Sequence, residues 1–372
     1  MLYISMKSYH ITLLLPLLIL SSGCNEQYKQ LASEKKAQNI ILLIGDGMGL
    51  AQASTAFYFQ EEEPSFVRFP VIGLHRNPPS DALITDSAAG ATAFSTGYKS
   101  YNAAIGVDKD SISRETILEI AARQGKSTGL IATSSITHAT PASFFAHVTH
   151  RSLEEDIASQ LAGSPVDFFA GGGLQFFTQR EDGANYLDTL SAQGFVVNTQ
   201  KLERPGHLSL NSKYGYLLAP EGMPKMQEGR GDFLPQATQL ALDYLSQDKH
   251  GFFLMVEGSQ IDWGGHDNDS EYVIQEVRDF DKAIGIALDF AEKDGNTLVI
   301  VTADHETGGM SLSAAKVRMQ SDYRHIQPTF STGGHSASLI PVYAFGPGAG
   351  KFMGIYQNNE IFGKMLRAFR LK

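Results

Sequence analysis

The sequence predicts an α/β fold: a mainly parallel central sheet, flanked by helices on both faces, with loop insertions. Three observations carry this. Short, continuous apolar runs recur along the chain, as in strands buried on both faces. Stretches with a 3.6-residue apolar period lie between several of them, as crossovers between parallel strands require. Acidic residues follow the runs: Asp46, Glu257, Asp262 and Asp304 all stand past a strand end, where open α/β sheets gather their ligands.

The elements follow in order. Residues 39–44 are wholly apolar after Asn39 and end in Gly45-Asp46-Gly47, a buried strand feeding a tight turn. Similar runs occupy residues 128–132, 167–170, 252–256, 297–301 and 342–345. Helical periodicity covers residues 114–123, 234–245 and 272–292, and an apolar helix is expected over 142–148 after Thr140-Pro141. Residues 204–232, rich in Gly and Pro, read as a loop excursion. Residues 306–334 read as a second insertion, with basic Lys316, Arg318, Arg324 and His325.

With 372 residues, 42% of them hydrophobic, the chain can bury a large core. Its formal net charge of −10 argues against nucleic acid as a specific partner, because phosphate-backbone binding needs clustered Lys and Arg. It does not exclude small phosphorylated substrates, since bound metals invert a local field.

The first 23 residues read as an export signal. Lys7 precedes an apolar run over 11–20, then Ser21-Ser22-Gly23-Cys24. Cys24 is the only cysteine and sits where a bacterial lipoprotein signal is cut, although Leu20 lies one place further upstream than in the usual pattern. The plainer alternative is an ordinary secretory signal with an incidental cysteine. The lipoprotein reading is preferred because it explains the lone cysteine's position. It makes the protein exported, periplasmic or anchored by lipid at Cys24 to a bacterial outer membrane. Residues 24–38 are a polar tether and 39–372 the catalytic domain. No later segment is long and apolar enough to span a membrane.

Five separated motifs carry chemistry: Gly45-Asp46-Gly47-Met48-Gly49, the run around Asp86-Ser87-Ala88-Ala89, residues 257–266, Thr302-Ala303-Asp304-His305-Glu306, and Gly333-Gly334-His335-Ser336. Alone, most have ordinary readings. Asp46 fits a turn whose carboxylate bonds backbone amides. Asp86-Ser87 fits a helix cap. Arg151 is spaced for a helix pair with Glu155. Trp263 is a packing residue by default. Together they suggest a multi-metal hydrolase, because a serine at its free pKa is a poor nucleophile and Ser87 has no Gly-x-Ser-x-Gly elbow.

These motifs, in this order, resemble the alkaline phosphatases over residues 39–348. The resemblance implies hydrolysis of phosphate monoesters through a phosphoserine on Ser87, with two zinc ions and one magnesium ion per chain. One zinc would be held by Asp46, Asp304 and His305 and contact Ser87. The other would be held by Asp262, His266 and His335, with a position left open. Asp46 would bridge to a magnesium shared with Thr140 and Glu257. Arg151 would clamp phosphate oxygens, which a planar guanidinium can do two at a time. At the positions of His138 and Trp263 the family varies, with Asp or His at the first and Lys, His or Trp at the second. Gly264-Gly265 favours a loop that folds Asp262 and His266 inward. His147 and His150 are structural or surface histidines, and Glu306, His325 and Asp267 take no metal role. A homodimer is compatible with the sequence, as is a monomer. Two other classes stay open: a relative acting on diesters or sulfate esters, although Cys-x-Pro-Ser-Arg is absent, and a silent phosphate-binding lipoprotein.

Overall fold

The computed structural model describes residues 35–204, 206–317 and 320–371. The leader, Cys24, the tether up to residue 34 and Arg318 lie outside the described residues. The strands are β1 (Asn39–Gly45), β2 (Val71–Arg76), β3 (Ser127–Ser135), β4 (Phe168–Gly172), β5 (Phe195–Asn198), β6 (Lys213–Leu217) and β7 (Phe252–Gly258). They continue with β8 (Thr297–Thr302), β9 (Glu306–Thr307), β10 (Ser311–Val317), β11 (Gln320–Thr329), β12 (His335–Ser336), β13 (Ile340–Phe345) and β14 (Gly354–Gln357). Ten of them form one sheet in the order β14-β2-β13-β8-β1-β7-β3-β4-β6-β5. Neighbours run parallel except at β13, which is antiparallel to both β2 and β8.

β1 lies inside the sheet because it is apolar on both faces. Ile40, Leu42 and Ile44 enter one core, shared with Ala88, Ala91 and Phe94 of the Ser87–Thr96 helix. Ile41 and Leu43 enter the other, shared with the Phe233–Leu245 and Ser270–Asp294 helices. The period of two along the strand thus supplies both layers. Each Leu or Ile buried this way contributes about 1.5–3 kcal/mol, which offsets the burial of carboxylates at the strand ends.

All six apolar runs become strands, somewhat longer than expected. The strands not foreseen are mostly at or near the sheet's edges. β2 carries Gly73 and His75 and exposes alternate residues, while β14 and β5 are short edge strands. Strands with only one covered face lack the continuous apolar signature.

Three expectations need correction. Residues 204–232 are not only a loop, since β6 runs through them and buries Tyr216 and Leu217. The helix expected over 142–148 is instead the short Ala139–Ala142 turn, followed by non-helical backbone. The helix expected from 114 begins at Ile117, where Thr116 and Glu119 form a capping box, and Arg114 pairs with Asp108 instead. The second insertion is an antiparallel hairpin, β10–β11, with a bulge at Ala314/Ala315. At its base β9 pairs with β12, Thr307 facing His335, so the excursion returns beside its starting point. No helix among the described residues is long and apolar enough to cross a membrane.

Candidate active site

Parallel register sets the site. Ile44 of β1 lies opposite Glu257 of β7 on one side and Thr302 of β8 on the other. Asp46, Glu257 and Asp304 therefore leave the sheet together at its carboxyl end. Gly47 makes the approach possible: its φ is +71°, and a Cβ there would stand 2.7 Å from Asp262 Cα.

Ser87 opens the Ser87–Thr96 helix and is only 2% exposed. The cap is Asp86, whose Oδ1 accepts from Ala89 N at 3.0 Å. Its other oxygen accepts from Ala103 N at 2.9 Å and from Arg151 Nη1 at 3.2 Å. One carboxylate thus fixes both the nucleophile's helix and the arginine. Arg151 pairs with Asp86 rather than with Glu155, which lies beside Arg180.

Ser87 Oγ lies 3.3 Å from His305 Nε2. That nitrogen is also 3.3 Å from Asp46 Oδ1 and 3.3 Å from Asp304 Oδ2. In the neighbouring group, His266 Nε2 lies 3.4 Å from Asp262 Oδ2, and His335 Nε2 lies 3.2 Å from His266 Nε2 and 3.5 Å from Asp262 Oδ1. Zinc with N and O ligands at about 2.0–2.2 Å in a tetrahedron separates its donors by about 3.3–3.5 Å. The distances from His305 Nε2 in the first group and those within the second lie at or close to that spacing.

The histidine tautomers agree. His266 Nδ1 donates to Gly333 O at 2.7 Å and His335 Nδ1 to Thr85 O at 2.8 Å. Thr307 Oγ1 donates to Asp262 Oδ1, so it accepts from His305 Nδ1 at 3.1 Å. Each outer nitrogen is engaged, leaving Nε2 directed at the cluster, the usual arrangement around a metal-bound imidazole.

A third group joins Asp46, Glu257 and His138, with the Thr140 side chain beside Glu257. Ser259 and Ser134 both donate to Glu257 Oε2, while Oε1 has no partner among protein atoms. Both Asp46 oxygens, Thr140 Oγ1 and Asp304 Oδ2 are likewise buried and unpartnered. So many orphaned acceptors in one buried region fit cations. His138 differs from the other histidines. Its Nε2 accepts from Arg151 Nη2 at 3.0 Å, which puts the proton on Nδ1 and turns an N–H toward this group.

Electrostatics points the same way. Burial, then the nearby Asp304, Asp262 and Glu257 charges, hold Asp46 well above the usual carboxylate range. Burial pushes Asp304 up to about 6 and Glu257 up to about 8. Burial also raises Asp262, but the His266 hydrogen bond and the His305 and His335 rings outweigh it, leaving Asp262 well below its ordinary value. That same bond lifts His266 to about 9, so a cation entering there displaces a proton.

The structure brings together every residue singled out in the sequence for metal or phosphate. It corrects one detail of how. Asp262 and His266 do not sit on a loop but on the Gln260–His266 helix, one turn apart on one face. The two glycines between them serve close packing: a Cβ on Gly264 would stand 2.9 Å from Val273 N, and one on Gly265 2.9 Å from Thr307 Cβ. His147 is structural, bonding Gly106 O and Glu119. Glu306 accepts from Gln52 and Met310 N and belongs to none of the three clusters. Sequence reasoning missed Thr307, Ser134, Ser259 and the link from Asp86 to Arg151. Thr307, two residues past His305, and Ser259, two residues past Glu257, carried a positional hint.

The sequence profile described as alkaline phosphatase matches residues 37–325. Alkaline phosphatase 3 of Bacillus subtilis (strain 168) is 32% identical, the match covering 96% of this chain and 97% of the relative. The chain belongs to the alkaline phosphatase family. The alkaline phosphatase of Escherichia coli (strain K12) is also 32% identical, over 91% of this chain and 88% of its own. The solved alkaline phosphatase of the Antarctic bacterium TAB5 is 55% identical, with a TM-score of 0.89, covering 91% of this chain and 99% of its own. Metal-dependent hydrolysis of phosphate monoesters is the general function of alkaline phosphatases, and this member is a phosphomonoesterase. The fold is the alkaline-phosphatase one, with the large, mostly parallel sheet described above.

Proposed function

We propose that the chain hydrolyses phosphate monoesters through a phosphoserine on Ser87. In this reading Asp46, Asp304 and His305 hold one zinc ion, and Asp262, His266 and His335 hold the other. Asp46, Thr140 and Glu257 hold a magnesium ion. The observation that carries it is Ser87 Oγ at 3.3 Å from His305 Nε2, a nitrogen that also faces Asp46 and Asp304. Bound there, the cations lower the affinity of Ser87 for its proton and neutralise charge on phosphoryl and leaving oxygens.

The chain's own residues supply the rest. The Ser87–Thr96 helix presents its N-terminal amides to an anion on Ser87. Arg151, already held by Asp86, is placed to donate to two phosphoryl oxygens. Ser87 Oγ gives its proton to solvent and bonds to phosphorus, while the ester oxygen leaves and takes a proton from solvent. Water then attacks phosphorus, the Oγ–P bond breaks, and inorganic phosphate departs. His266, with its side chain 40% exposed, marks the open side for leaving group and water.

The direct test is hydrolysis of an aryl phosphate, an aryl phosphodiester and an aryl sulfate by one preparation with zinc and magnesium. The monoester should be preferred by orders of magnitude. A preference for either other ester overturns the reading.

His138 and Trp263 tune this site. Their rings meet edge-on, with centroids 6.2 Å apart, and neither supplies a fixed charge. A lysine at 263 would add a cationic contact to bound phosphate, about 0.5–1.5 kcal/mol and up to roughly tenfold in affinity. Trp263→Lys combined with His138→Asp is therefore expected to strengthen phosphate inhibition and lower the maximal rate, as where release limits turnover. Inhibition constants at one pH and salt decide it, and unchanged or weaker inhibition leaves Trp263 a packing residue.

The proposal extends to the chain's start: residues 1–23 are removed on export, and Cys24 carries the lipid that anchors the enzyme, followed by the 24–38 tether and the 39–372 catalytic unit. Bacterial relatives are typically periplasmic. The apolar leader and the position of the single cysteine support the anchor. Mass spectrometry of the exported protein should find acylated Cys24 as its first residue, and an unmodified cysteine refutes it.

A further inference from the structure

Strand β8 runs out of hydrogen-bonding neighbours just before it delivers two metal ligands. β13 pairs with it at Phe345↔Val299, Ala344↔Ile300 and Tyr343↔Val301. Continuing that register sets Pro341 opposite Ala303, and proline has no N–H to donate. On the other side, pairing with β1 ends at Ile44↔Thr302. Ala303 and Asp304 are nonetheless fully buried, and a buried carbonyl without a donor is costly.

Two side chains near the end of β2 supply the donors. His75 Nε2 donates to the Ala303 carbonyl at 3.0 Å, and Asn77 Nδ2 to the Asp304 carbonyl at 2.6 Å. β2 is not adjacent to β8, because β13 stands between them. Both side chains reach across where β13 begins, and both are buried, at 0% and 4% exposure. Phe94 holds the His75 ring edge-on, with centroids 5.5 Å apart. Burial keeps His75 neutral, its pKa pushed down to about 3, and the Ala303 carbonyl, which can only accept, holds the ring's one proton on Nε2. Further along, Asp304 Oδ1 accepts from Gly47 N and His305 N, which leaves Oδ2 for the metal.

We propose that His75 and Asn77 are positioning residues, clamping the Ala303–Asp304 backbone so that Asp304 and His305 meet one metal ion in fixed geometry. The inference rests on the assignment of those two residues as ligands. Neither clamp residue touches substrate. Their effect passes through the backbone, as with the outer partners of metal sites generally.

The test compares His75→Phe with His75→Gln in the full-length, zinc-loaded enzyme. Phenylalanine fills a similar space without a donor, whereas glutamine keeps an N–H at similar reach. Three quantities are measured: the rate at which excess chelator removes zinc, kcat and KM on an aryl phosphate, and thermal unfolding with and without metal. His75→Phe should release zinc at least about tenfold faster and lose about tenfold in kcat, with KM within about threefold. His75→Gln should restore both to near wild type, and Asn77→Ala should resemble His75→Phe. The inference is overturned if His75→Phe lowers stability equally with and without metal while zinc release and kcat stay unchanged. It is also overturned if glutamine fails to rescue. A wild type that binds no zinc sinks the ligand assignment and the clamp with it, and shows before any variant is made.

Discussion

Ser87→Ala is expected to fold normally, to lose about 10³-fold or more in turnover, and to form no phosphoenzyme. The fold should survive because the helix cap is Asp86, not Ser87. Ala88 and Ala89 continue the helix, and the lost hydroxyl has one described hydrogen-bond partner, His305 Nε2. In the proposed site that nitrogen would engage metal, so no acceptor would be stranded. Some activity should remain, since Arg151 and the ligand cluster still bind phosphate and water can attack directly. Acid quenching of wild type with labelled phosphate should leave label on Ser87. Wild type without label there, or a variant keeping a tenth of the wild-type rate, rules out the covalent route.

Stripping metal should abolish activity and reverse the pH dependence of stability expected of ordinary carboxylates. The loaded enzyme is expected to hold two zinc ions and up to one magnesium ion per chain by elemental analysis. Without them, Glu257 titrates near 8 in the folded state against an ordinary 4.5, and Asp304 near 6 against 3.8. The folded state then binds more protons than the unfolded state over that window. The contribution of these carboxyls to the stability of metal-free protein therefore falls as pH rises from about 4 to about 8, while buried His75 and His138, pushed down to about 3, act the other way only below about 6.5. Bound cations replace those protons and restore stability by mass action. Thermal unfolding of chelated protein near pH 5 and near pH 8, with and without added zinc, measures this. Full activity in metal-free protein sinks the mechanism, and a metal-free melting temperature no lower at pH 8 than at pH 5 contradicts the crowded buried carboxylates.

What could be read from the sequence follows from where burial is two-sided. β1, β7 and β8 are covered on both faces, so their apolar runs are continuous and the acids after them stand out. β2 is half-covered, and its alternating pattern hides among ordinary surface residues. The proposed ligands were singled out because five motifs in this order resemble the alkaline phosphatases; taken alone, each aspartate or histidine has an ordinary reading. The hydroxyls that orient them were not. Ser259 stands two residues past Glu257, but Ser134 finds it only because β3 lies against β7, and nothing in the local sequence of Ser134 announces a spacing between strands. Gly264-Gly265 misled for a similar reason, since their small size answers to Val273 and Thr307 rather than to a turn.

The proposed ligands are dispersed in time as well as in sequence. Asp46 follows β1, Glu257 ends β7, and His335 lies beyond the β10–β11 hairpin. A ribosome adding about 5–20 residues per second takes about 15–60 s to travel from the first to the last of these. Until β7 and β8 have been made, up to Thr302, the β1–β7 and β1–β8 ladders that would align Asp46 do not exist, and His335 comes later still. Metal cannot gather this chain as zinc gathers a finger peptide. In the proposed site it would bind ligands that the assembled sheet aligns.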